Sequence, residues 1–396
     1  MRARVLSRYD ETVNPRRITP GAVKILAQEC GFELAGVAPA AAPEDDFARF
    51  ERWIGQGMAG KMGYLTGRRA ALRRDARNLL PAARSVICVG KLYNRETPPV
   101  ASGDGRGVIS RYALGRDYHD AIPRALERLA EKLLAIEPFE YKICVDTAPL
   151  LERSYARQAG LGWIGRNTCL INQPLGSWFL LGEIVTSLEL APDSPPADRC
   201  GTCTRCIDAC PTDAIVPSVF GGLYGAGQGS AEYTLDARRC ISYLNIELKG
   251  EIPEEHRGAM GPHVFGCDIC QQVCPWNARA PFTTDPEFAP VMDAAPPLDD
   301  LARLSESDFQ ETYGGTPVKR PRYEGFLRNV AVAMGASGAA RFREPLERLA
   351  ARESEVVGAH ARWALERLNS PAEAAPVERT VSAQASAKDV AECVEI

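Results

Sequence analysis

The chain has 396 residues, 45% hydrophobic and 25% charged, with Lys+Arg 47 against Asp+Glu 51 and a formal net charge of −4. That is enough for two or three domains with cores of their own, and the charge balance advertises no chain-wide affinity for nucleic acid, although a local basic patch remains open. No run approaches the ~18 apolar residues of a membrane-spanning helix, and the first residues lack the apolar core of a secretion signal.

In chain order, residues 1–15 read as frayed. Thr19 and Pro20 start a helix that Gly31 stops. A strand is expected over 32–38, a helix near 47–57, a buried strand over 85–93 and a helix with apolar residues at helical spacing over 121–136. Another strand is expected over 141–146 and a helix over 150–158. The stretch from Thr168 to Val185 reads as a hairpin around Pro174-Leu-Gly176. This irregular alternation predicts an α/β (α+β) domain with a mixed sheet over 15–195. Residues 191–197 read as a linker, 196–290 as a second domain and 291–370 as a third. The third holds short Ala/Leu helices that resemble one or two HEAT-type units or a plain helical hairpin. Residues 221–230 read as a Gly-rich insertion and 371–396 as a disordered tail.

The cysteines carry the strongest signal. Seven of the 13 fall into two runs, Cys200-Gly-Thr-Cys203-Thr-Arg-Cys206-Ile-Asp-Ala-Cys210-Pro and Cys267-Asp-Ile-Cys270-Gln-Gln-Val-Cys274-Pro. The first follows the bacterial ferredoxin spacing for [4Fe–4S] clusters, in which the fourth Cys crosses to the other cluster. Two cubanes need eight thiolates, and Cys240 is the nearest cysteine able to complete the set. The expected groups are Cys200, Cys203, Cys206 and Cys274 for one cluster, and Cys210, Cys240, Cys267 and Cys270 for the other. Disulfides would suit a small secreted chain. Two C-x2-C pairs could bind zinc, but zinc asks for neither the third Cys nor the Cys-Pro ending. Cys30, Cys88, Cys144, Cys169 and Cys393 sit apart, and a reducing, cytoplasmic setting fits them.

A bare two-cluster ferredoxin is much smaller, so the residues ahead of the clusters are expected to receive their electrons. No G-x-G-x-x-G or Walker motif indicates a nucleotide site there.

Several stretches resemble the epoxyqueuosine reductase family: Gly60-Lys-Met-Gly-Tyr-Leu, Ser110-Arg-Tyr-Ala-Leu-Gly-Arg-Asp117-Tyr-His119, Val145-Asp146-Thr-Ala-Pro-Leu-Leu-Glu-Arg153, Ala159–Thr168, Gly176-Ser-Trp-Phe-Leu-Leu-Gly-Glu-Ile, Cys240-Ile-Ser-Tyr-Leu-Asn-Ile-Glu and Cys267–Asn277. The resemblance spans about residues 20–370. It implies an oxidoreductase that reduces the epoxide of epoxyqueuosine at the tRNA wobble position to an alkene, the final step of queuosine biosynthesis. It also implies cobalamin cycling through its Co(I) state, two clusters feeding it, and an external low-potential donor of flavodoxin or ferredoxin type. A monomer is expected.

By this resemblance Asp146 is the proton donor, a role suited to a carboxyl whose pKa is raised by burial. Read alone, Asp146 could instead cap the helix near Pro149. Asp117-Tyr-His119 approaches the D-x-H-x-x-G cobalamin motif, but Ile122 stands where Gly belongs. Base-off cobalamin without His119 as ligand is therefore expected, with Asp117 and His119 lining the pocket or capping the next helix. Arg73, Ser110, Arg111, Asn167, Thr168, Ser177 and Trp178 are candidate corrin contacts by motif position, and Gly165 and Gly176 are expected to allow close approach. For tRNA, Lys319-Arg-Pro-Arg322-Tyr323, Arg328, Arg341 and Arg343 form a candidate phosphate-tracking patch, or an ordinary solvated charge run. Two other readings stand beside this one: a small-molecule reductase of the reductive dehalogenase kind, and a ferredoxin-type electron carrier without catalysis.

Overall fold

The computed structural model describes residues 17–97, 104–218 and 233–369. The frayed start, the Gly-rich insertion and the tail lie outside the described residues. Thr19 caps helix α1 (Pro20–Glu29), accepting from the Ala22 amide, and α1 leads into strand β1 (Leu34–Pro39). Helices α2 (Glu44–Gly55) and α3 (Gly67–Leu72) precede the fully buried strand β2 (Ser85–Leu92). Then come β3 (Val108–Ile109), α4 (Tyr118–Leu134), β4 (Tyr141–Cys144), α5 (Glu152–Gln158), β5 (Trp163–Ile164), β6 (Leu170–Ile171) and β7 (Phe179–Thr186).

The main sheet runs β1-β2-β7-β4, and every pairing in it is antiparallel. The expected mixed sheet is therefore corrected to an antiparallel one. The expected hairpin fails as well: β6 pairs with β5, and β7 runs between β2 and β4. One face of the sheet buries Ile87, Val89 and Ile184 against α1 and α4 through Val23, Ile122, Leu126 and Leu129. The other buries Cys88, Cys144 and Val185 against Tyr155 and Ala156 of α5. Alternate residues of one strand thus feed two cores.

The cysteine-bearing region contains α6 (Arg205–Asp208), β8 (Ile215–Pro217), β9 (Tyr233–Leu235), α7 (Glu254–Arg257), β10 (His263–Phe265) and α8 (Ile269–Gln272), with a π-helical turn at Tyr243–Glu247. Helices α9 (Leu298–Arg303), α10 (Glu306–Tyr313), α11 (Arg322–Ser337), α12 (Arg343–Ala350) and α13 (Glu355–Asn369) follow. A Ser305–Asp308 capping box opens α10. Helix α11 is buried almost all round, which its Val-Ala-Val-Ala-Met run allows.

The regions do not follow one another cleanly. Strand β3 pairs in parallel with β10, and Ile109, Ala113 and Leu114 join the core of α9–α13. Among the described residues no helix is long and apolar enough to cross a membrane.

Candidate active site and cluster pockets

The N-terminus of α4 meets the loop after β4. Asp117 caps α4 through the His119 amide, and its Oδ1 also lies 2.7 Å from His119 Nδ1. The other imidazole nitrogen, Nε2, lies 3.1 Å from Asp146 Oδ2. Behind them Lys319 Nζ binds Asp117 Oδ2 at 2.8 Å. The row Lys319–Asp117–His119–Asp146 alternates in charge if His119 is protonated, and its surroundings favour that. Hydrogen bonds to Asp117 and then Asp146 outweigh burial and push His119 up to about 9. Asp117 is opposed by burial, yet bonds from His119 and Lys319 hold it well below the usual carboxylate range.

Asp146 departs from expectation. Its side chain is about half exposed (55%). Burial is still the largest influence on it, but the His119 bond and charge, then Arg320, win and lower its pKa. The surroundings thus favour a proton on His119 over one on Asp146. Asp146 also adopts φ 47°, a left-handed conformation costly for a residue with a Cβ. Its amide donates to Glu152 Oε1 at the start of α5. Tyr118 stacks on His119 with centroids 4.2 Å apart.

The candidate corrin contacts divide. Arg73 is buried beside the loop, donating to the Tyr64 and Arg69 carbonyls, and it feels Glu152 and Asp146. Thr168 is left-handed at φ 61°, and its carbonyl accepts from Arg153. The other five turn inward to the cysteine loops. Ser110 Oγ and the Arg111 amide donate to the carboxylate of Asp268, between Cys267 and Cys270. Asn167 donates to the Cys270 carbonyl. Ser177 accepts from Asn277 and Gln271, and Trp178 is buried under the Arg111 guanidinium, 4.2 Å from its ring centroid. Ser110, Arg111, Asn167 and Ser177 are thus hydrogen-bonded within the protein, on or beside the cysteine loops. Gly176 makes a close approach to Asn277, and Gly165 to Ile171 and Cys200.

The cysteines gather in two places. Cys200, Cys203, Cys206 and Cys274 line one cavity of about 370 Å³, its mouth included, together with Arg166, Asn167 and Trp276. Burial, then Cys274, Cys200 and Cys203, pushes the Cys206 thiol up. In the second place, burial raises Cys267, with Cys240 and Cys210 adding to it. Cys270 is raised by the Cys169 thiol and burial, then by Cys267 and Cys240. Among the described residues no three His, Cys, Asp or Glu side chains could hold a single ion. One zinc draws thiolates to about 2.3 Å, whereas a four-iron cubane stands between thiolates further apart. The donor set, all sulfur and four to a group, therefore fits two cubanes. Tyr112 is in ring contact with Tyr118, next to His119, and with Phe265, two residues before Cys267.

The basic patch is only partly a surface. Arg328 is 1% exposed and donates to the Leu244, Leu248 and Gly250 carbonyls; burial lowers its pKa to about 10. Tyr323 is buried and donates to the Leu304 carbonyl. Both are thus engaged within the protein, and both line the cleft described below. Arg320 pairs with Glu247, while Arg341 and Arg343 are engaged by the Asp104 carbonyl and Asn369. Arg322 and Arg352 line an open cleft of about 1590 Å³ between α11 and the turn joining α12 to α13. Sequence reasoning passed over Glu152; its only signal was a place in a matching stretch.

Comparison with known proteins gives concordant findings. A profile described as "4Fe-4S double cluster binding domain" matches residues 199–277, and one described as "Epoxyqueuosine reductase QueG, DUF1730" matches 73–147. The chain is 41% identical over 368 residues to the epoxyqueuosine reductase of Xanthomonas campestris, covering 91% of this chain and 98% of that one. It is 38% identical over 323 residues to that of Escherichia coli, covering 79% and 80%. Among solved structures, an epoxyqueuosine reductase bound to an epoxyqueuosine-modified tRNA-Tyr stem loop superposes with TM-score 0.78 at 28% identity, covering 94% and 96%. The Bacillus subtilis enzyme, described with its aspartate catalytic loop swung out of the active site, gives 0.76 at 28% identity and the same coverage.

Proposed function

The chain belongs to the epoxyqueuosine reductase family, and from that premise we propose that His119 and Asp146 are the proton-delivering pair of its reaction. The enzyme is an oxidoreductase with a double [4Fe–4S] domain that reduces epoxyqueuosine in tRNA. Turning an epoxide into an alkene breaks two C–O bonds and forms one C–C π bond. It takes two electrons and two protons and releases the oxygen as water. The observation that carries the proposal is the imidazole of His119, bonded on one side to Asp117 and on the other to Asp146. A protonated His119 can pass its Nε2 proton to Asp146, and Asp146, half open to solvent, can pass it to the departing oxygen. Lys319 keeps Asp117 ionised, and Asp117 keeps the imidazole oriented.

Cys200, Cys203, Cys206 and Cys274 would hold one cluster, and Cys210, Cys240, Cys267 and Cys270 the other; the clusters supply single electrons from an external low-potential donor. Cobalamin, when bound, supplies a strongly nucleophilic reduced cobalt. Arg73, Asp117, His119, Asp146 and Thr168 are the residues we propose to face it, because Ser110, Arg111, Asn167, Ser177 and Trp178 are engaged with the cysteine loops. Residues 15–195 would then be the cobalamin-binding part, 196–290 the ferredoxin-like part and 291–370 a HEAT-like part. Arg322 and Arg352 are the candidates for tRNA phosphates. A monomer acting in the cytoplasm, where tRNA is modified, fits this reading.

The test is mass spectrometry of anticodon nucleosides from a deletion strain complemented with each variant. Wild type should restore queuosine, and Asp146→Asn should leave epoxyqueuosine. Full queuosine with Asp146→Asn overturns the assignment.

A further inference from the structure

Two acids in the matching stretches have no part in that reading. Glu183 sits at the centre of β7, opposite Cys88 of β2 and Cys144 of β4. It is 0% exposed, and neither carboxyl oxygen makes a hydrogen bond of good geometry. Helix α5 packs on the sheet face that carries Cys88 and Cys144, and after burial the carboxyl of Glu152 at the start of α5 acts on Glu183 most strongly. Glu152 in turn accepts the backbone N–H of Asp146. A buried acid on the central strand thus lies under a second acid, and that one holds the residue with the left-handed backbone.

We propose that Glu152 is the positioning residue that clamps Asp146 in its left-handed conformation, and that Glu183, beneath it in the sheet, props the Glu152 carboxyl in place. The proposal rests on the reading of Asp146 as the proton donor. A left-handed backbone is held by local contacts even for Asp, which tolerates it better than most; the side chain is held by His119, and this N–H bond is the contact that fixes the backbone amide. The pocket explains why an acid can serve as prop. Burial, then Glu152 and Asp146, pushes Glu183 well above the usual carboxylate range. Burial, then Asp146, pushes Glu152 up to about 8, against Arg153 and Arg73. Two acids facing each other in an apolar site cannot both ionise. Glu183 keeps its proton and can offer that O–H to Glu152, whose other oxygen stays free for the Asp146 amide. The neighbouring Cys88 and Cys144 thiols are buried and neutral, so they leave Glu183 no competing charge.

The test uses the full chain and two readouts: amide hydrogen exchange of the segment containing Asp146, and kcat and KM on an epoxide-bearing stem loop. Glu152→Ala should remove protection at Asp146 and cut kcat roughly ten- to a hundredfold, with KM within about twofold. Glu152→Gln keeps an oxygen for the same N–H and should recover most of both. Glu183→Gln, still a donor, should behave like wild type, whereas Glu183→Leu should loosen the Asp146 segment. If Glu152→Ala does not fold, Glu152→Asp, one methylene short of the amide, carries the same expectation. Wild-type exchange at Asp146 in Glu152→Ala or Glu152→Asp overturns the clamp, and so does a Glu152→Gln as impaired as Glu152→Ala. Loosened exchange together with a fully active Asp146→Asn would uphold the clamp and remove the proton-donor reading, so the two failures are distinct.

Discussion

His119→Gln tests the charge row most directly. His119 Nε2 stands 3.1 Å from Asp146 Oδ2. At an effective dielectric of 20 to 80, opposite charges about 4 Å apart attract by ~1–4 kcal/mol. Half the Asp146 side chain is in solvent, so the lower end applies, about one pKa unit. Two consequences follow. With the imidazolium gone, burial is opposed only by the lesser influences of Arg320 and Tyr118, and the Asp146 pKa rises by about that unit. The proton available to the reaction then sits on a carboxyl, not on a group that holds it up to about pH 9. A profile of kcat against pH should therefore lose its alkaline limb near 9 and show one in the carboxyl range, about 4–6. Stability should move too. A folded-state pKa raised from 6.5 to about 9 contributes stability that is fully present below pH 6.5 and lost as pH rises through 9. Discounted for a ring about a third exposed, this is roughly 1–2 kcal/mol. The melting-temperature gap between wild type and His119→Gln should be wider at pH 6 than at pH 10. An alkaline limb still near 9 in the variant, or an equal gap at both pH values, would refute the reasoning.

Cys206→Ala and Cys270→Ala each remove one thiol from a different group, so each should lower the iron content of purified protein and abolish turnover; iron at the wild-type level would argue against that cysteine as a ligand. Arg328→Met strands the buried Leu244 and Leu248 carbonyls and the part-buried Gly250 carbonyl and should cost about 2–4 kcal/mol. A thermal melt should show that loss, while stem-loop affinity at low temperature stays within about twofold; weakened binding without a lower melt would restore Arg328 as a phosphate contact. Gly36→Ala puts a Cβ 2.0 Å from the Ala159 carbonyl oxygen at the end of α5. It should destabilise by about 2 kcal/mol, read by denaturant titration, and an unchanged midpoint would show that α5 can shift freely.

Much of this was legible in the chain itself. Thr19, Pro20 and Gly31 marked α1, and the all-buried Ser85–Leu92 strand announced itself by its Val86-Ile-Cys-Val89 run. The cysteine spacing pointed to the double-cluster domain that spans residues 199–277. What stayed hidden depends on partners far away in sequence. Ser110 and Arg111 looked like free polar groups because Asp268 could not be seen beside them. Arg328 resembled its basic neighbours, yet a helix buried all round turns it toward carbonyls more than 75 residues distant. The hairpin failed because Pro174-Leu-Gly176 does make a local turn, with Asn172 bridged to Gly176, while β2 and β4 claim β7. Glu183 was hidden by its setting: one acid in an apolar strand gives no hint of which face it occupies or what it meets there.

The seam between β3 and β10 also sets an order of events during synthesis. Ser110 must wait for Asp268, 158 residues further along, while the four-stranded sheet can close as soon as β7 has emerged. At roughly 5–20 residues per second on the ribosome, that wait is about 8–30 s. Throughout it Ile109, Ala113 and Leu114 lack the helices that later cover them. The cysteine groups proposed above would wait less long, since the two runs lie closer together in the chain, but neither would be whole before the second run appears. Between the emergence of β7 and that of the second run, the nascent chain carries a finished sheet, a sticky loop and open thiols, and there a chaperone or an iron–sulfur donor would find its access.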